Sequence, residues 1–198
     1  GDITNMGPIS IDMLSKVVLP QINEALHYMH HKGFIHRDIK PENIYLIKST
    51  NKVVIGDFGI TSTLTNGASL KATQAGRGTE GYVAPEVAQH NVTFATDYYS
   101  LGITICSLLL GRNVFEHDDA SRIFLKVTNQ SFCNFITHEN LRRLVCGLTL
   151  QDIKFRFGYQ DVLDYCSSKP LRNVINSSSP AMSNFKRPYT FEGKPCRN

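Results

Sequence analysis

The sequence predicts a mainly α-helical domain that carries one small β-hairpin. Three observations carry this reading. Apolar residues recur at three- and four-residue steps from Ile11 to Met29, the spacing of one buried helix face. A second stretch, Leu101 to Leu110, is apolar almost throughout. Two short strand-like runs, Ile44–Ile47 and Lys52–Ile55, flank the polar turn Lys48-Ser49-Thr50-Asn51, a hairpin pattern. With 198 residues, 41% of them hydrophobic, the chain is long enough to bury a core and has the size of one domain.

In chain order, residues 1–9 contain Gly7 and Pro8 and form an irregular lead-in. Ser10 or Asp12 caps a helix running to about His31, whose inward positions are Ile11, Leu14, Val18, Ile22, Ala25, Leu26 and Met29. Pro20 predicts a kink and Gly33 a stop. A polar loop and the hairpin follow. Residues 57–86 form a long connection holding Thr61, Ser62, Thr63, Thr65, Ser69 and Thr73 with Gly67, Gly76 and Gly78; such a stretch is a functional loop or is disordered. A buried helix then runs from about Asp97 to Leu110, stopped by Gly111. Amphipathic helices are expected at about 118–129, 138–148 and 158–166. Residues 167–198 form a linker and tail, with Ser177-Ser178-Ser179-Pro180 and a basic, apolar-poor end.

Composition narrows the function classes. The net charge is +4 and the basic residues are scattered, so no nucleic-acid or polybasic membrane patch is expected. Leu101–Leu110 is interrupted by Gly102, Thr104 and Ser107 and is too short to span a bilayer. The five cysteines include no C-x-x-C pair, so neither a disulfide framework nor a zinc site is indicated; Cys106 and Cys146 fall in apolar helical patterns and read as small core residues. The start, Gly1-Asp2-Ile3-Thr4, is no signal peptide. Together these predict a reduced, cytoplasmic protein.

The chemistry concentrates in Ile35-His36-Arg37-Asp38-Ile39-Lys40-Pro41-Glu42-Asn43-Ile44. This loop offers a base (Asp38), a fixed cation (Lys40) and an amide able to hold a metal (Asn43). Asp57-Phe58-Gly59 follows the run Val53-Val54-Ile55 and adds a carboxylate. Phosphoryl transfer asks for this set, because it depends on positioning and charge neutralisation. The loop resembles the catalytic loop of eukaryotic-type protein kinases and matches H-R-D-x-K-P-x-N at every specified position.

The resemblance implies a protein-kinase-like C-terminal lobe over residues 10–166, and a serine/threonine kinase using ATP, Mg2+ and a protein substrate. In that reading Asp38 accepts or orients the hydroxyl proton and Lys40 reaches the transferring phosphate. Asn43 and Asp57 hold Mg2+. Tyr45 stands where an aliphatic residue usually lies under the adenine; it reshapes the nucleotide pocket or points elsewhere. His36 packs against Phe58 as part of the core rather than moving protons, and Gly59 permits a backbone switch. Gly78-Thr79-Glu80-Gly81-Tyr82-Val83-Ala84-Pro85-Glu86 resembles the peptide-docking block. Thr79 there bonds Asp38 and Lys40, and Glu86 needs a buried cation. Arg156 is the candidate, with a surface arginine as the alternative; Ile153 stands where proline is usual. Asp97, in Asp97-Tyr98-Tyr99-Ser100-Leu101-Gly102, matches the aspartate that accepts bonds from the loop backbone, with Tyr99 in place of tryptophan. Arg37 marks enzymes controlled by a phosphate on this connection, where Thr73 and then Ser69 are the acceptors expected; a merely flexible polar loop is the other reading.

The sequence contains no G-x-G-x-x-G loop before a strand, no V-A-I-K-like lysine and no helix with its glutamate partner. The expected partner is therefore the missing N-lobe, in the same or another chain, and this piece alone is expected to have little or no activity. Two other functions compete. One is a pseudokinase or isolated lobe that acts as an interaction module. The other is a small-molecule phosphotransferase of kinase-like fold, which the Gly78–Glu86 block disfavours. The tail Pro188-Tyr189-Thr190-Phe191-Glu192-Gly193 and Asp97–Gly102 look like bacterial eukaryotic-type kinases.

Overall fold

A computed structural model describes residues 3–59, 61–63 and 79–173. Six α-helices and four short strands alternate with 3-10 turns: α1 (Ile11–Met13), α2 (Leu19–His31), β1 (Phe34–Ile35), β2 (Ile44–Ile47), β3 (Lys52–Ile55), β4 (Ser62–Thr63), α3 (Phe94–Leu110), α4 (Ala120–Thr128), α5 (Glu139–Leu148) and α6 (Tyr159–Cys166). The expected mainly α architecture with a hairpin is what folds.

The first helix begins where Ser10 Oγ accepts from Met13 N at 3.1 Å. The kink expected at Pro20 takes the form of a π-helical turn, Leu14–Val18, between α1 and α2. Pro20 has no N–H for the preceding turn and its ring crowds the carbonyl four residues back, and a widened turn relieves both. Gly33 closes the helix with φ of 81°, a left-handed conformation open to glycine without a Cβ penalty. The hairpin pairs Ile44 with Ile55 and Leu46 with Val53. This register buries those four residues and turns Tyr45, Ile47 and Val54 outward. A second ribbon joins β1 antiparallel to β4, with Ile35 opposite Ser62.

The centre is α3. Every residue from Thr96 to Leu108 is buried. A helix apolar all round belongs inside a bundle, and here α3 packs on α5 while α2 packs on α6 and β3. Gly111 ends α3 at φ +68°, where a Cβ would meet Pro8 N at 2.4 Å. That approach reflects a difference from the expected irregular lead-in. Ile3, in a 3-10 turn, and Ile9 are core residues, and Ile9 N donates to Leu108 O at 3.0 Å. At the other end Leu171 is buried, and Arg172 Nε donates to Asp161 Oδ1 at 2.7 Å. The guanidinium also donates to the carbonyls of Phe155 and Arg156 and stacks 4.6 Å from the Phe157 ring centroid. The packed body therefore extends past residues 10–166 on both sides. A periodicity reading misses this because single anchors carry no period. No helix among the described residues is long and apolar enough to cross a membrane.

Candidate active site

The loop between β1 and β2 is held from below by α3. Asp97, wholly buried, accepts from His36 N at 2.9 Å and from Arg37 N at 2.7 Å. Its Oδ2 also meets His30 Nε2 at 2.8 Å. Arg37 sits at φ of 72°, an uncommon region for a residue with a side chain, and the two charge-assisted bonds flanking it stabilise that shape. Two turns along α3, Thr104 Oγ1 donates to Ile39 O at 3.0 Å.

His36 fixes the next turn through both ring nitrogens. Nε2 lies 2.9 Å from the Gly56 carbonyl, and Nδ1 accepts from Asp38 N at 3.3 Å. A carbonyl only accepts and an amide N–H only donates, so the ring is the neutral tautomer with its proton on Nε2. Its centroid lies 5.3 Å from that of Phe58. That contact was expected, but the placement of Phe58 in the core was not met. The ring is 55% exposed, because no other described element covers it beyond His36.

Asp38 lies at the top of this scaffold with four bonds converging on its carboxylate. Lys40 Nζ is 2.9 Å from Oδ2, and Asn43 Nδ2 donates to the same oxygen at 3.0 Å. Thr79 Oγ1 and Thr79 N approach Oδ1 at 3.1 and 3.4 Å. Lys40 Nζ also donates to Thr79 Oγ1 at 2.6 Å, closing a three-membered network. Burial pushes the Asp38 carboxyl up. Lys40, by hydrogen bond and charge, with Thr79 and Asn43, outweighs it and holds the group below its ordinary value. Asn43 is locked by a further bond from Nδ2 to Asp38 O at 2.8 Å. Its amide nitrogen is thereby committed, and among the described residues its Oδ1 accepts no bond.

Asp57 follows β3 at φ of 57°, exposed, with Oδ1 accepting from Gly59 N at 3.2 Å. No direct bond joins it to Asn43 or Asp38 among the described residues. Tyr45 is 39% exposed on the outer hairpin face. A Cβ on Gly56 would come within 2.7 Å of its ring, so Tyr45 lies over Gly56, next to Asp57 in the chain. Thr73 and Ser69 lie outside the described residues.

Glu86 and Arg156 meet as a buried bidentate pair, Nη1 to Oε1 at 2.5 Å and Nη2 to Oε2 at 2.9 Å. Arg156 spends its remaining donors on the carbonyls of Ala95, Leu150 and Gln151. All five guanidinium N–H groups are satisfied, and the surface-arginine alternative falls. The turn that delivers Arg156 forms without the expected proline: Asp152 Oδ1 accepts from Lys154 N at 2.9 Å, an Asx turn in its place. Sequence reasoning missed His30 and Thr104. His30 sits among neighbouring histidines with no motif to mark it. Thr104 did carry a signal, since a hydroxyl inside an apolar helix must bond something.

Comparison with known proteins agrees with this geometry. The family model described as protein kinase domain matches residues 3–177. The chain is 34% identical over 161 residues to the probable serine/threonine-protein kinase PknB of Lactococcus lactis, covering 78% of this chain and 25% of that protein. It is 33% identical over 165 residues to calcium/calmodulin-dependent protein kinase type 1 of Caenorhabditis elegans, covering 75% and 44%. A shorter match, 38% over 114 residues, links it to CBL-interacting protein kinase 24 of rice, Oryza sativa, covering 57% and 24%. The chain thus spans from 24% to 44% of the length of these relatives. With the matched span reaching from Ile3 past Arg172 and the Asp38 network at its centre, this chain belongs to the protein kinase domain family, of the eukaryotic serine/threonine type.

Proposed function

We propose that this chain supplies the catalytic half of a serine/threonine protein kinase, which moves the γ-phosphate of ATP to a protein hydroxyl. The observation that carries the reading is the Asp38 carboxylate, held ionised by Lys40, Thr79 and Asn43 on a loop that Asp97 fixes from below. Asp38 orients the substrate hydroxyl and receives its proton. Lys40 lies within reach of the same point and offsets charge on the transferring group. Thr79 ties the substrate-side segment to both. The donor set fits Mg2+, with the uncommitted Asn43 Oδ1 and the exposed Asp57 carboxylate as hard oxygen ligands; the ion, when bound, neutralises phosphate charge. Arg37 is the residue that would meet a phosphate on the connecting segment.

The 198 residues contain no glycine-rich phosphate loop and no strand lysine, so we assign them little transfer activity on their own. The outward hairpin residues Tyr45, Ile47 and Val54, with Phe58, form an exposed apolar surface suited to the nucleotide-covering half. The test is transfer of labelled phosphate to a protein substrate by a form that also carries that half. Asp38→Asn is expected to lower the rate about 10²–10⁴-fold. An unchanged rate would overturn the assignment and favour a non-catalytic interaction module. Transfer at an ordinary kinase rate by the 198 residues alone would sink the second part.

A further inference from the structure

Two thiols lie together outside the hydrogen-bond network of Asp38. Cys133 ends the 3-10 turn Ser131–Cys133, and Cys146 lies on α5. Their sulfurs are 3.5 Å apart. The backbones that carry them are fixed. Gln130, at φ of 54°, donates through Nε2 to Cys146 O at 2.7 Å and to Thr149 Oγ1 at 3.2 Å. Ile136 N donates to Cys133 O at 3.0 Å, and Phe132 packs on Phe115 with ring centroids 5.9 Å apart. The two sulfurs face each other because the surrounding chain holds them there.

We infer that Cys133 and Cys146 form a reversible dithiol–disulfide site, oxidised by hydrogen peroxide or a related hydroperoxide and reset by a dithiol reductant. Bonding distance is about 2.05 Å, so the two sulfurs start from van der Waals contact and must close up to form the bridge. The two thiols are chemically unequal. The contact with Cys133, and after it the charge of Arg142, hold the Cys146 thiol below its ordinary value, against its burial. The same contact and burial push Cys133 up. Cys106 is pushed up by burial, and Cys166 is raised by burial to about 11. Cys146 is also half-buried where Cys106 and Cys133 are fully buried, so among the described thiols it is the nucleophile.

The steps balance. The Cys146 thiolate attacks one peroxide oxygen, the O–O bond breaks, and the hydroxide released takes a proton to become water, leaving Cys146 as the sulfenic acid. The Cys133 sulfur then attacks the Cys146 sulfur. An S–S bond forms, the S–O bond breaks, and the departing hydroxide leaves with the Cys133 proton as a second water. Two thiols and one peroxide give a disulfide and two waters.

The test treats the intact protein with one equivalent of hydrogen peroxide, blocks remaining thiols with N-ethylmaleimide and maps peptides by mass spectrometry. The expected product is two hydrogens lighter before blocking. Unfolded in urea for blocking, it should show two fewer maleimide-reactive thiols than the five cysteines of the sequence and contain a linked Cys133–Cys146 peptide that dithiothreitol separates. In Cys133→Ser the reaction should stop at a Cys146 sulfenic acid that dimedone captures. A linkage involving Cys106, Cys166 or Cys196, or oxidation of any of these ahead of Cys146, overturns the proposal. So does recovery of both thiols free after peroxide treatment. The wild-type measurement decides the matter if the variant does not fold.

Discussion

Replacing Arg156 with alanine separates two accounts of the Glu86–Arg156 pair. Both charges are out of water, with side-chain exposures of 0% for Arg156 and 5% for Glu86. The substitution leaves the Glu86 carboxylate with the Thr96 hydroxyl, 3.2 Å from Oε1, as its remaining partner among the described residues. It also removes a donor from the carbonyls of Ala95, Leu150 and Gln151. Breaking a buried pair by removing one partner costs about 3–5 kcal/mol. For a domain of this size each kcal/mol moves the midpoint by about 2–4 °C, so a fall of roughly 6–20 °C is expected. The chain has no tryptophan, so urea unfolding followed by circular dichroism at the helix band is the natural assay. Glu86→Leu combined with Arg156→Met removes both charges at similar volume and should restore much of the loss. A single-variant loss below about 1 kcal/mol, or a double variant as unstable as the sum of the singles, refutes the view that an uncompensated buried charge is the source.

Other measurements follow from the same structure. Asp97→Asn removes an oxygen that accepts backbone N–H bonds and puts an N–H in its place, and should destabilise by at least about 2 kcal/mol; chemical denaturation that moves by less than half of that would contradict the loop-anchoring role. Thr104→Val should lose about 1 kcal/mol through the orphaned Ile39 carbonyl. Gly147→Ala improves intrinsic helix propensity yet places a Cβ 2.2 Å from the buried Phe157 ring. It should destabilise by about 1–3 kcal/mol, and a gain in thermal midpoint would show that the ring yields. Asp38 titrates below its unfolded value. Its stabilising contribution is therefore present above about pH 4 and is lost as pH falls through the lower folded value. The unfolding free-energy gap between wild type and Asp38→Asn should narrow on acidification, and a gap that widens as pH falls toward 2 would reverse the sign.

The helices were legible because burial imposes a period. α3, α5 and α6 begin and end within a few residues of where apolar spacing and glycine stops place them, and the hairpin register follows from its alternation. The site was legible for a different reason: Asp38, Lys40, Asn43, Thr79 and Asp97 each belong to a short motif, and the fold brings Lys40, Asn43 and Thr79 within bonding distance of the Asp38 carboxylate. What escaped were interactions between residues remote in sequence with no motif on one side. His30 reaches Asp97 across 67 positions, and Cys133 meets Cys146 through the packing of a turn on a helix. Phe58 was misread for the opposite reason. Its motif is intact, but burial depends on what covers a residue, and a motif does not encode that.

Arg172 has a practical consequence for anyone cutting this chain. Its guanidinium covers the Phe157 ring, closes two backbone carbonyls and neutralises Asp161, which itself caps α6 by accepting from Gly158 N at 3.0 Å. A truncation at the apparent end of the last helix would keep every recognised motif and every regular element. It would still uncover an aromatic face and release a helix start. The smallest piece that folds as drawn is set by one side chain six residues beyond Cys166, and a boundary chosen by sequence pattern alone would remove it.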